Sequence, residues 1–166
     1  MTGVAPTFEE IVSEYGALIS RIAMSYESDI TQREDLVQQI FLAIWQALPT
    51  FRGDSSVKTF VGKIAQNRSI SHVAKRVREP RIAELPEELA TETPSPEDSA
   101  NDASERRLLL AKTRLLPLPQ RQVIILVLEG FSYGEIADML EIAPNALWVR
   151  MTRAKAALKR LLEQDR

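Results

Sequence analysis

Few residues in this chain could carry out covalent chemistry. Among 166 residues there is no cysteine and one histidine, His72, so disulfides, a thiolate nucleophile and any site needing two imidazoles are excluded. The best carboxylate pair, Glu34-Asp35, occupies adjacent positions. On a helix these diverge by about 100°, so the two cannot converge unaided on one substrate atom. Acids in a first turn ordinarily serve the helix dipole and cap instead. Patterns of the types G-x-x-x-x-G-K, G-x-G-x-x-G, G-x-S-x-G and H-E-x-x-H are absent. The expectation is a protein that is not an enzyme, with no metal and no cofactor. His72 lies near Lys75, Arg76 and Arg78 and reads as a phosphate contact or a plain surface residue.

What remains is charge, and its placement is uneven. The net charge of −2 hides three blocks: residues 1–78 sum to +1, residues 79–105 to −8 and residues 106–166 to +5. Within the first block, residues 52–78 hold seven Lys/Arg and one acid, Asp54. Two basic regions therefore flank an acidic connector, a pattern that speaks of partners rather than of fold. The longest aliphatic run, Val123 to Leu128, is far short of the roughly 20 residues that cross a bilayer. The N-terminal residues have neither the basic start nor the apolar stretch of a signal peptide. A cytoplasmic location is expected.

Helical periodicity dominates, and the expected fold class is all-α. Phe8, Ile11, Val12, Tyr15, Leu18, Ile19 and Ile22 recur at three and four residues and predict a first helix. A second opens with a Thr31–Glu34 capping-box pattern, carries Leu36, Val37, Ile40, Phe41, Ile44, Trp45 and Leu48 as its apolar stripe, and ends at Pro49. A third runs from about Ser55 to Arg78; its stripe of Val57, Phe60, Val61 and Ile64 changes phase to Ile70, Val73 and Val77, predicting a bend or a change of environment near Asn67-Arg68-Ser69. Asp102 and Glu105 fit a capping box for a helix that stops at Pro117. A fifth helix covers Gln120–Glu129, and a sixth is capped by Ser132 and Glu135. The last starts at Pro144, which suits a first helical turn, and continues to about Leu162.

The proline-rich, acidic stretch between the third and fourth helices cannot bury enough apolar surface to offset its ordering entropy. It divides the chain into residues 1–78, a flexible acidic linker at 79–103, and residues 104–166. In the last module a short helix, a tight turn and a longer cationic helix follow the helix-turn-helix plan. Ala137 is small where the second helix must approach. Leu147, Met151, Ala154, Leu158 and Leu161 face inward, with Arg150, Arg153, Lys155, Lys159 and Arg160 on the exposed arc. A charged solvated face is the plainer reading of that arc, but few acids balance it and DNA is favoured. In the first module Phe60 reads as core, whereas Phe51, beside Arg52 and Gly53, suits the core and base stacking equally. Asp35, Gln38, Gln39 and Gln46 line a polar side that suits a protein partner.

Four stretches resemble the extracytoplasmic-function (ECF) sigma factors, the sigma-70-type initiation subunits of bacterial RNA polymerase. They are residues 34–45 (EDLVQQIFLAIW), residues 51–55 (FRGDS), residues 64–68 (IAQNR), and residues 132–140 (SYGEIADML) followed by Arg150 and Arg153-Ala154. The resemblance implies a sigma region 2 bundle and a region 4 helix-turn-helix joined by the linker. It implies that Asp35, Gln38, Gln39 and Phe41 bind the β′ clamp of core polymerase. It further implies that Phe51, Arg52, Lys63, Asn67, Arg68, Lys75 and Arg76 melt and read the −10 element. Trp148, Val149, Arg150, Thr152, Arg153 and Lys155 would read the −35 element, while region 4 contacts the β flap and the acidic linker occupies the RNA exit path. An anti-sigma factor is an expected partner, and no membrane insertion is expected.

Departures from the family pattern fall at informative places. Gln39 stands where an acid is usual, and Phe60-Val61 where Trp-Leu is common. Asn145-Ala146 replaces a usual Gly-Thr, and Val149 a common Ser. Trp148 stands where a cation is common, so more apolar contact, of the kind thymine methyls offer, is expected at the −35 element. The alternative is a helix-turn-helix regulator that binds duplex DNA without polymerase.

Overall fold

The first three helices form because local signals start and stop them, and a computed structural model covering residues 4–79 and 100–164 shows where each does so. Thr7 caps α1 (Phe8–Met24) in a capping box, its Oγ1 accepting from Glu10 N at 3.2 Å while Thr7 N donates to Glu10 Oε2 at 2.7 Å. Helix α2 (Ile30–Ala47) is capped by Asp29, whose Oδ1 accepts from Gln32 N at 2.8 Å. The expected Thr31–Glu34 box is therefore displaced: a carboxylate two residues earlier serves the first free N–H groups, and Thr31 and Glu34 lie inside the helix. A 3-10 turn at Leu48–Thr50 carrying Pro49 leads through Gly53, which has a left-handed φ of 79° that favours glycine. Ser56 then caps α3 (Val57–Arg78), which at 1.5 Å per residue is about 33 Å long.

The second group is α4 (Ala100–Thr113), α5 (Leu118–Leu128), α6 (Tyr133–Leu140) and α7 (Pro144–Glu163). Among the described residues there are seven α-helices and no strand. Helix α4 starts within the span read as linker, so Asp102 lies in its first turn and Glu105 further in, and it ends before Pro117. The acidic segment at 80–99, expected to be flexible, lies outside the described residues. The Ser132–Glu135 capping box on α6 and Pro144 at the start of α7 occur as expected.

Helices α1, α2 and α3 pack pairwise, and α7 packs against α4, α5 and α6. Ile11, Ile19, Ile22, Leu36, Ile40, Ile44, Val61 and Ala65 fill the first core, while Val123, Ile125, Leu126, Ile136, Leu147, Met151 and Ala154 fill the second. The two groups touch: Arg21 on α1 grips the carboxylate of Glu129 through Nε and Nη2, both at 2.9 Å, and Arg114 Nη1 donates to Met24 O at 2.8 Å.

The expected phase change in α3 has a different origin. The buried face keeps its period through Val61, Ala65, Ser69 and His72, but its second half is polar. Glu27, at the end of α1 and 5% exposed, is the reason: His72 Nε2 lies 2.6 Å from its Oε2 and Arg76 Nε 3.3 Å, while its Oε1 accepts from Asp29 N at 3.0 Å. His72 is thus a buried structural residue rather than a phosphate contact, and Val77, read as core, is 73% exposed. Removing a partner from a buried ionic cluster leaves the others uncompensated, so Glu27→Ala should lower stability by about 3 kcal/mol, read by urea denaturation. Glu27→Gln, which keeps an acceptor, should lose less.

Candidate nucleic-acid and partner interfaces

Three surfaces carry the residues singled out from the sequence. On α2, burial of Leu36, Ile40, Ala43 and Ile44 turns the opposite side outward and exposes Asp35, Gln38 and Gln39. Phe41 does not join them. It is half-buried and meets Phe8 edge-to-face, with centroids 6.2 Å apart, a contact that packs α1 on α2. In its place the exposed face carries Leu42 and Trp45, 54% and 58% exposed. Trp45 was expected in the apolar stripe. A position adjacent to the fully buried Ile44 is rotated about 100° away, and that offset was the signal available in the sequence. The outcome is two large apolar side chains beside Gln38, Gln39 and Gln46, an apolar centre with a polar rim.

The second surface is the turn after α2 together with α3. Phe51 is half-buried and its ring lies 4.8 Å from that of Phe60, tilted by 52°, so Phe60 backs it and restricts its motion. Arg52, Asn67, Arg68 and Lys75 are exposed, and Lys63 and Asn67, four residues apart, share one side of the helix. Lys63 Nζ lies 3.8 Å from Glu141 Oε1. Arg76 is turned from this set toward the buried Glu27. Lys75, Arg76 and Arg78 all fall in the last turn, where the helix dipole favours cations.

The third surface is the helix-turn-helix. The connection between α6 and α7 is only three residues because Glu141 adopts a left-handed φ of 54°, and Ala137 is buried at the join. Leu147, Met151, Ala154 and Leu158 anchor α7. The other side of its first three turns exposes Asn145, Ala146, Trp148, Val149, Thr152 and Arg153, with Arg150 half-buried and Lys155 exposed. Trp148 is 67% exposed. Thr152 Oγ1 donates to Trp148 O at 2.9 Å, which commits its hydroxyl proton to the helix itself. Lys155 Nζ donates to the Tyr133 hydroxyl at 3.3 Å, bringing an exposed aromatic from α6 onto the same surface. The sequence reading missed Tyr133, because only the folded turn brings it beside Lys155.

An all-helical protein with an exposed apolar patch rimmed by polar residues, a basic helix behind an aromatic turn and a helix-turn-helix belongs to the class of DNA-directed regulatory proteins. Comparison with known proteins narrows the class. The family model for Sigma-70 region 2 matches residues 11–79, and that for Sigma-70, region 4 matches residues 106–158. The RNA polymerase sigma factor NccH of Alcaligenes xylosoxydans xylosoxydans is 28% identical over 95% of this chain and 88% of its own. The RNA polymerase sigma factor CnrH of Cupriavidus metallidurans is 28% identical over 99% and 91%. Among solved structures, the sigma factor RpoE in complex with the anti-sigma factor NepR from Bartonella quintana superposes with a TM-score of 0.74 at 26% identity, covering 96% of this chain and 98% of that one. The chain belongs to the sigma-70 family, within its ECF group.

The α6 capping box sets a pH dependence. Backbone and hydroxyl hydrogen bonds from Ser132 hold the Glu135 carboxyl below the usual carboxylate range. A depressed folded value contributes stability above the unfolded value and loses it as pH falls through the folded one. Glu135→Gln should therefore destabilise the chain at neutral pH, and its difference from the unaltered protein should shrink as pH falls through the carboxylate range, as followed by thermal melts.

Proposed function

We propose that this chain directs core RNA polymerase to a set of promoters, using three separate faces for three tasks. The exposed side of α2 docks on the β′ clamp through Asp35, Gln38 and Gln39, with Leu42 and Trp45 as its apolar centre; exposed apolar side chains of this size are what a partner's surface would cover. The Phe51 turn and α3 open and read the −10 element. Extruding a base costs a few kcal/mol, and stacking on an aromatic ring returns about 1–3 kcal/mol per base. A Phe51 ring already backed by Phe60 loses little freedom on capture. Asn67 is placed to read a base edge, with Arg52, Lys63, Arg68 and Lys75 on phosphates; Arg76 serves chiefly to hold α3 through Glu27.

In this reading α7 lies in the major groove at the −35 element, also touching the β flap through its module. Arg150, Arg153 and Lys155 provide phosphate or guanine contacts, and Trp148 and Val149 give apolar contact to thymine methyls. The protein carries out no catalytic step; polymerase does the chemistry. It works where polymerase works, in the cytoplasm, and among the described residues no helix is long and apolar enough to cross a membrane. The structural relative bound to an anti-sigma factor supports an inhibitor of that kind as a further partner. The observation that carries the reading is the match of region 2 and region 4 to the two helical groups that present these faces. Nothing in the structure favours the polymerase-independent regulator.

Run-off transcription with core polymerase on a promoter pool tests it. Specific transcripts should depend on the chain. Leu42→Ala with Trp45→Ala should abolish them while leaving the fold intact, because both side chains are exposed. Arg153→Ala should weaken use of −35-dependent promoters by about 5- to 150-fold, the effect of losing one good base contact. Transcripts unaffected by either change would contradict the assignments.

A further inference from the structure

The large apolar side chains that α7 leaves exposed are gathered in one place. Leu147, Met151 and Leu158 are buried and Leu161 and Leu162 half-buried. Trp148 and Val149, 67% and 40% exposed, are the exceptions on this helix. They lie near its start, the part of a recognition helix that a helix-turn-helix presents to base edges. Positions 145, 148, 149 and 152 succeed one another at three and four residues and so share one stripe, with Ala146 beside it. All five side chains are exposed.

The stripe is short of groups that read bases by hydrogen bonds. Ala146 and Val149 have no polar side-chain atom, and Trp148 has one donor, its indole N–H. Thr152 gives its hydroxyl proton to Trp148 O at 2.9 Å, which leaves it no side-chain proton for a base. Arg150 is half-buried, and Lys155 donates to the Tyr133 hydroxyl. The exposed side chains able to make bidentate base contacts are Asn145 and Arg153, at the two ends of the stretch. Base edges in the major groove are otherwise hydrogen-bonding groups, and their one apolar substituent is the methyl on C5 of thymine. An apolar stripe therefore tells base pairs apart by whether that methyl is present. Methylation of cytosine at C5 puts the same group in the same place on a C·G pair.

We propose that Trp148, with Val149 beside it, sets the −35 specificity of this chain by packing on a pyrimidine C5-methyl group. Methylation of a cytosine at that position of the −35 element then raises use of the promoter. The inference rests on the sigma-factor reading, in which α7 enters the major groove at the −35 element; it adds the group that is read and a means of regulation. Thymine and 5-methylcytosine share the methyl and differ in the neighbouring exocyclic group, a carbonyl acceptor against an amino donor. A Trp–Val pair makes no bidentate contact that depends on this difference, so both bases satisfy it, whereas uracil and plain cytosine do not. A cation at position 148, common in the family pattern, would instead favour guanine. The exchange of cation for tryptophan replaces a hydrogen-bond reader with a methyl reader. Covering one methyl group is worth about fourfold in affinity.

Every base pair contains one pyrimidine, so the methyl can be switched along a whole −35 element without changing the pairing. Deoxyuridine in place of thymidine removes it, and 5-methylcytosine in place of cytosine adds it. Core polymerase carrying the full chain is titrated onto such templates, built from a promoter it uses in run-off transcription, and binding and transcript yield are both read. At the position that meets Trp148, deoxyuridine should weaken binding about fourfold. A C·G pair placed there with the same strand polarity should gain about fourfold on C5-methylation. Trp148→Ala and Trp148→Arg should abolish both differences, with thermal melts matching the unaltered chain because the site is exposed. Arg153→Ala should weaken binding to every template and keep the methyl effect, which separates loss of the methyl contact from general weakening. Methyl changes without effect at every −35 position, while Arg153→Ala still impairs −35 use, would overturn the proposal and leave the sigma reading standing. Methyl effects that persist in Trp148→Ala would remove Trp148 from the role. Sensitivity to deoxyuridine with none to 5-methylcytosine would overturn the regulatory half. A chain that supports no transcription with core polymerase would bring down the sigma reading and this proposal together.

Discussion

A single buried carboxylate, Glu27, fixes the geometry on which the first module depends. It has almost no access to water, so its charge must be met by protein groups. It meets His72 and Arg76 from α3 and the backbone N–H of Asp29 ahead of α2. These contacts reach into all three helices of the bundle. They hold the long α3 against the α1–α2 corner along its second half, where the fully buried positions are polar and Ile70 and Val73 are only half-buried. The side of α2 that carries Leu42 and Trp45 is thereby held in a fixed relation to the side of α3 that carries Asn67, Arg68 and Lys75. A subunit that positions polymerase on DNA needs that relation to be rigid.

The same economy appears in the second module. Region 4 is small, and its recognition helix is placed by a three-residue connection, a left-handed Glu141 and the Ser132–Glu135 box. Little of α7 is spare: its inner side is core and its outer side is the candidate reading surface. Ala146 and Val149 stand where Thr and Ser are the expected residues, beside Asn145 and a largely exposed Trp148. The chemistry of this surface is therefore more apolar than a purely cationic reading of net charge would suggest.

How much of this the sequence disclosed follows the range of each interaction. Signals that act within one turn were legible: the Ser132–Glu135 box, Pro144 opening α7 and the 3.6-residue stripes. The Thr31–Glu34 pattern had the right form and the wrong address, since Asp29 was equally able to cap and stood where the helix begins. Trp45 and His72 were misassigned because other residues decide their environments: Ile44 already holds the inward position on α2, and Glu27 lies 45 residues from His72. Val77 followed the same error, an apolar residue taken as core while the true inner face of α3 had become polar. The contacts of Phe131, just after α5, with Lys58 and Gly62 of α3 had no local signature beyond a glycine inside a helix.

Opening of promoter DNA is the event to which the proposed function assigns all three faces. Permanganate reactivity of non-template thymines at the −10 element, measured with core polymerase and this chain on a promoter carrying both elements, tests it most directly. The account predicts thymines that become reactive only when chain and polymerase are both present, and that lose reactivity when Phe51 is replaced by alanine. Duplex that stays unreactive while the ternary complex is bound would contradict it.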